Sequence, residues 1–327
     1  FPLWITRENG GVSSAEYAMP VSISMLAAAA ILPILGAISD SYGKRIPFLR
    51  IFVIICVACT ALLGQSQSMI LPLVLFAVAN FAYQSAEVFY NALLPQVSTA
   101  KNRGLVSGFG VGIGYIGSII TIILLAPLAT AEGADESATF LPTAILYIVI
   151  ALPLFFAIRE RKPDERKFDY KVIVDAYKQL FSTLKNFKEN KNLFKFIVAR
   201  FFYLDAINTL IAFMAIYVTA ILGEEVAKTE AMNLGGISFT GTELVLIIGV
   251  LSALCSAFLY GWMVTKIGPK STLLIILTIW GAALIWAVLG TEIVQFYGVA
   301  FLAGSALGGT WTADRVLLTR IAPAGQV

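Results

Sequence analysis

Four polar residues, Asn80, Gln84, Glu87 and Asn91, stand at spacings of 4, 3 and 4 in a stretch that is otherwise largely apolar. On a helix this spacing places all four on one face. Such a face can hydrogen-bond a zwitterionic solute, with Glu87 holding an ammonium group or exchanging a proton as its hydration changes. The same side chains can instead tie one helix to a neighbour, each interhelical hydrogen bond contributing ~0.6–2 kcal/mol. A second group, Arg200, Tyr203, Asp205, Asn208 and Thr209, lies in another apolar run, and Asp205, Asn208 and Thr209 share a face. Arg200 suits three roles: a gate contact with Glu87 that forms and breaks, a fixed ion pair within its own half, or a side chain that snorkels to the membrane interface. Asp314 and Arg315, adjacent near the end of a third apolar run, rank below these.

Much other chemistry is excluded. The chain of 327 residues contains no histidine, which removes imidazole-ligated metals, haem and every His-based triad or proton relay. The three cysteines, Cys56, Cys59 and Cys255, all lie in apolar runs, so there is no disulfide framework. Cys56 and Cys59 have the spacing of a zinc half-site but no second pair, and read as helix packing. No Gly-x4-Gly-Lys-Ser/Thr sequence occurs, which argues against ATP-driven pumping within the chain. No metal, cofactor or nucleic-acid partner is expected, and no constellation suits an intramembrane enzyme.

The elements that must position these residues follow from composition. Hydrophobic side chains make up 58% and charged ones 13%, about half the ~25% charge of a soluble domain. Nine spans are expected: Met19 to Ile38, Ile46 to Gly64, Ile70 to Tyr90, Gly104 to Ala129, Phe140 to Ile158, Phe196 to Leu222, Leu244 to Val264, Ser271 to Gly290 and Val294 to Trp311. Taken alternately, the segments between them hold 19 Lys or Arg on one side and only Arg7 and Lys228 on the other. The positive-inside rule makes the rich side cytoplasmic. Within the basic segment 159–195, Ile173, Tyr177, Leu180, Leu184 and Phe187 form an apolar stripe flanked by lysines. This predicts an amphipathic helix on an anionic inner leaflet, in a bacterial inner membrane or its equivalent.

A repeat lies across that segment. Gly36, Asp40, Gly43, Lys44 and Arg45 after the first span match Gly261, Thr265, Gly268 and Lys270 after the seventh. A glycine for chain reversal, a polar residue and trailing cations suit a tight cytoplasmic turn. The pattern resembles the signature loop of the major facilitator superfamily, although Thr265 stands where Asp is usual. Phe89 to Pro95, Arg103 to Gly110, Gly114 to Gly117, Phe201 to Asp205 and Gly304 to Pro323 further resemble the branch containing the autophagy-related vacuolar amino-acid effluxers and their bacterial relatives.

The resemblance implies an all-α polytopic membrane protein of two pseudo-symmetric six-helix halves, here lacking most of helix 1 and helices 11 and 12. The expected organisation is an N-terminal half over 1–158, a basic cytoplasmic linker over 159–195 and a C-terminal half over 196–327. The implied function is secondary transport, an exporter of amino acids or similar small polar solutes by alternating access, with a proton as a possible coupling ion. The alternative is a transporter-fold protein serving as a structural, assembly or scaffold subunit with a membrane-complex partner. The resemblance makes the helices of spans 3, 6 and 9 cavity-lining, which is where the polar candidates fall. It also makes spans 4 and 7 neighbours, and each carries small residues four apart: Gly104, Gly108 and Gly112, and Gly249, Ala253, Ala257 and Gly261.

Overall fold

A computed structural model of the chain describes residues 12–65, 70–130, 136–158, 191–222, 230–234 and 237–321, together with Ile5, Val174 and Lys178. The stripe of the basic linker, Ile173, Tyr177, Leu180, Leu184 and Phe187, lies outside the described residues. Each expected span is a helix: α1 (Ser14–Tyr42), α2 (Ile46–Leu62), α3 (Ile70–Val97), α4 (Arg103–Thr130), α5 (Phe140–Ala157), α6 (Lys191–Leu222), α7 (Gly241–Ile267), α8 (Pro269–Leu289) and α9 (Ile293–Ile321). Every one of these except α6 is, among the described residues, long and apolar enough to cross a membrane. Large apolar side chains stand far out of the packed interior, with Phe156 77% and Val288 75% exposed. An aqueous surface would not tolerate such continuous apolar cover, and lipid requires it. The protein is an integral, multi-pass membrane protein.

Helix ends follow local chemistry. Ser13 and Glu16 at the start of α1, and Thr240 and Glu243 at the start of α7, bond each other's backbone N–H groups reciprocally. These two capping boxes satisfy donors that a helix start leaves without partners. The all-α membrane fold is as expected, and the connection between α6 and α7 adds a short hairpin to it. Strands β1 (Glu230–Leu234) and β2 (Ile237–Thr240) form an antiparallel hairpin, with Leu234 opposite Ile237.

The chain divides into two compact units, residues 1–93 with 123–186, and 94–122 with 187–327. The first unit is built on α2, α3 and α5. Ile46, Leu49, Phe52, Val53 and Cys56 of α2 interlock with Ala79, Ala82, Ala86, Phe89 and Leu93 of α3 and with Phe155 of α5. Phe89 lies against Phe48 and Phe52, with ring centroids 5.3 and 6.0 Å away. Cys56 is thus a packing residue, and no group of metal-ligating side chains occurs among the described residues.

The second unit is built around α9, half of whose apolar window is buried against about a tenth for α1 (50% and 11%). The first twenty residues of α4 belong to this unit, and small residues explain how they pack. A Cβ on Gly108 would lie 2.5 Å from the Ala257 carbonyl oxygen and 2.8 Å from the Gly261 Cα. One on Gly112 would lie 2.6 Å from the Phe258 ring. Backbones approach this closely only where side chains are absent. The small-residue stripe of α7 serves two neighbours. Gly249 and Ala253 take the backbone of α9 at Gly304 and Gly308, whereas Ala257 and Gly261 take α4. Steps of four residues drift by about 40° on a helix of 3.6 residues per turn. Over the three steps from Gly249 to Gly261 the stripe therefore winds from one neighbour to the next.

Candidate functional site

In the first unit, α3 presents the polar face that the spacing predicts, but its members are used differently. Asn80 donates from Nδ2 to the Ser24 hydroxyl of α1 at 2.7 Å, and that hydroxyl donates on to the Val21 carbonyl at 2.7 Å. Asn80 therefore ties two helices together. Asn91 donates to Glu87 Oε1 at 3.5 Å, a long contact one turn along the same helix. Gln84 and Glu87 are half-buried, beside side chains that bury completely, Ala82 and Ser85. Within this unit the polar centre of α3 is Gln84, Glu87 and Asn91, and Asn80 is structural.

The signature turn is anchored in the same unit. The Lys44 N–H donates to the Ser39 carbonyl at 3.3 Å across Gly43, whose φ is 61°, and Ser39 Oγ donates to the Lys44 carbonyl at 3.0 Å. This closure of a helix end around a left-handed glycine leaves Arg45 beside α3, where it donates to the Ala92 carbonyl near the helix C-terminus. Arg50 donates to the Phe155 carbonyl and lies 5.7 Å from the centres of the Phe155 and Phe156 rings. The side chain of Asp40 lies outside the described residues.

In the second unit the chemistry gathers at the ends of α6, α9 and α4. Asp314 is 2% exposed. It receives Arg200 Nε at 3.0 Å on Oδ1 and 2.9 Å on Oδ2, and the Tyr203 hydroxyl donates to Oδ1. Arg200 and Tyr203 are three residues apart, so both reach α9 from one face of α6. The ion pair made by Arg200 therefore lies within its own unit, and its partner is Asp314. Beside it, Arg315 donates from Nε to Ser107 Oγ and from Nη2 to the Ser107 carbonyl, both at 2.6 Å, and Ser107 Oγ donates to the Thr312 carbonyl at 2.8 Å. Arg103 reaches Thr319 at 3.2 Å. Asp205, Asn208 and Thr209 are exposed, on the part of α6 turned away from the buried Ile207.

The second signature turn lies at this end too. Gly268 has φ 88° and ψ 156°, and Lys270 is exposed. Thr265 Oγ1 donates back to the Gly261 carbonyl at 3.0 Å.

Asp314, Arg315 and Ser107 are the residues that sequence reasoning undervalued. The signal was present in Arg200 and Tyr203: two donors on one helical face imply a buried acid, and Asp314 is the acid at the matching end of α9.

A family model described as "Vacuole effluxer Atg22 like" matches residues 12–105 and 97–326, nearly the whole chain. The chain belongs to that family. Over 340 residues it is 27% identical to the uncharacterized MFS-type transporter YxiO of Bacillus subtilis (strain 168), covering 99% of this chain and 76% of that one. An uncharacterized protein of Aquifex aeolicus (strain VF5) is 24% identical over 332 residues, covering 100% of this chain and 76% of its own length. Membership in the Atg22-like family, with its MFS-type relative, makes the protein a membrane transporter of the major facilitator type, with a small solute as its cargo. The family points away from an enzymatic role. The resemblance drawn from the signature turns and longer strings is thereby confirmed.

Proposed function

We propose that the protein is a secondary active transporter that exports amino acids or similar small polar solutes by alternating access between its two halves, 1–158 and 196–327. The main support is the polar face of α3. Gln84 and Glu87 are held half-buried in an apolar helix, and an ionisable group there costs at least ~2.5 kcal/mol unless it meets protein or water. A packing role accounts for Asn80 but does not require a carboxylate at Glu87. In this reading Glu87 takes the solute's ammonium group or a coupling proton and Gln84 and Asn91 supply hydrogen bonds in the first unit, and Asp205, Asn208 and Thr209 are the polar candidates of the second. The effluxer description of the family favours export as the direction. The basic linker 159–195 lies on the cytoplasmic side against an anionic leaflet of a bacterial inner membrane or its equivalent.

Flux of labelled amino acids through proteoliposomes, with and without an imposed proton gradient, tests this. Solute-dependent flux that the gradient accelerates is expected. Glu87→Gln should remove the acceleration, and Asp205→Asn should weaken transport at low solute. Full transport in both variants would defeat these assignments.

A further inference from the structure

Arg200 meets Asp314 through Nε alone. The guanidinium is docked along one edge, and among the described residues its two terminal amino groups make no hydrogen bond. Arg200 is also the open member of the pair, its side chain 35% exposed against 3% for Asp314. A guanidinium that is part of a membrane helix and not covered by protein faces water or the headgroup region, because hydrocarbon would penalise it. The free edge carries four N–H groups in one plane, the fork that receives a carboxylate through two parallel hydrogen bonds.

We propose that the Nη1/Nη2 edge of Arg200 is a carboxylate-binding point and, on the transporter reading given above, the one that receives the carboxylate of the solute. Asp314 and Tyr203 are its positioning residues. Asp314 is buried and held by two donors, so it cannot turn away without losing its only described charge partner. Arg200 is thereby fixed in direction before any ligand arrives, and the ordering cost is met in advance. The charge balance selects the ligand class. Arg200 and Asp314 sum to zero, so a zwitterionic carboxylate adds no net charge and a monoanionic one adds a single negative charge, whereas a phosphate dianion adds two against a single guanidinium.

The test uses the purified native protein in detergent, with unfolding temperature followed against increasing L-leucine, L-lysine or L-glutamine, the carboxamide of each, and inorganic phosphate. A ligand that binds only the folded state raises that temperature with concentration. Free acids should stabilise the wild type and carboxamides should not. Arg200→Lys keeps the charge and loses the fork, and should need at least tenfold more acid for the same shift. Tyr203→Phe keeps both charges and releases one support of Asp314. It should raise the half-saturating solute concentration severalfold in proteoliposome flux and leave the maximal rate unchanged, a split that loss of folded protein would not produce. Equal stabilisation by acids and carboxamides overturns the proposal, as does stabilisation by phosphate alone. If Arg200→Lys does not fold, an unchanged half-saturation in Tyr203→Phe overturns it. Acid-specific, Arg200-dependent stabilisation without any flux would uphold the carboxylate site and defeat the transporter reading. Flux with Arg200→Lys indistinguishable from wild type in both assays would do the reverse.

Discussion

Gly43 and Gly268 close the two copies of the signature turn, with φ of 61° and 88°, and what surrounds them differs. Each is followed by a helix with proline in its first turn, Pro47 in α2 and Pro269 in α8. At Gly43 the chain closes by backbone hydrogen bonding between Lys44 and Ser39. At Gly268 the ψ of 156° puts the residue in a region reached essentially by glycine alone. The leading glycines diverge further. A Cβ on Gly36 would meet nothing within 4 Å, whereas one on Gly261 would lie 3.0 Å from the Gly104 carbonyl oxygen and 3.1 Å from the Gly108 Cα. The anchoring cation belongs to the turn in the first copy, where Arg45 holds α3. In the second copy Lys270 is exposed, and the neighbouring arginine is Arg320 of α9, whose Nη1 would lie 3.8 Å from a Cβ on Gly268. One sequence pattern therefore performs the same reversal twice, but among the described residues only the second copy is also part of a close helix crossing.

That contrast can be broken most forcefully at the crossing. Gly261→Leu or Gly108→Leu should cost at least ~3 kcal/mol, the upper range for overpacking, because the obstacle is backbone that cannot step aside. Gly36→Leu should change stability by no more than about 0.5 kcal/mol. Thermal unfolding of each variant in detergent checks this, and equal losses at Gly36 and Gly261 would erase the distinction. Asparagine separates the two turn glycines. Gly43→Asn should cost little, since asparagine visits the left-handed region, whereas Gly268→Asn should cost roughly 1–3 kcal/mol. Arg45→Gln should lose about 1 kcal/mol with its hydrogen bond to α3, and Lys270→Gln should stay within about 0.5 kcal/mol. The smallest expected effect is Thr265→Val, roughly 0.5 kcal/mol or less, because among the described residues its hydroxyl bonds only to its own helix.

The limits of legibility fall at particular residues. Hydropathy ended the ninth span at Trp311, yet α9 continues to Ile321. Charge lowers a hydropathy average without stopping a helix, and here Asp314, Arg315 and Thr319 find partners on α4 and α6 that keep the last turns in place. The same effect moved the start of α6 back from Phe196 to Lys191. The polar face of α3 was legible as a face, because 3.6-residue periodicity is local. That Asn80 would be taken by Ser24 was not, because Ser24 is 56 residues away. The stripe of α7 was legible as close packing, but its division between α9 and α4 depends on where those helices lie.

The amino-acid sequence by itself determined that this chain lives in a membrane, which apolar runs become helices, where the turns repeat and which few polar groups stand within those runs. Each of these depends on composition or on spacing within about four residues. Only the tertiary structure decided that Arg200 belongs to Asp314, that Ser107 belongs to Arg315, and that Gly108 and Gly261 touch. A buried ion pair or a backbone crossing is a meeting of residues far apart in the chain, and its partner is chosen by helix packing.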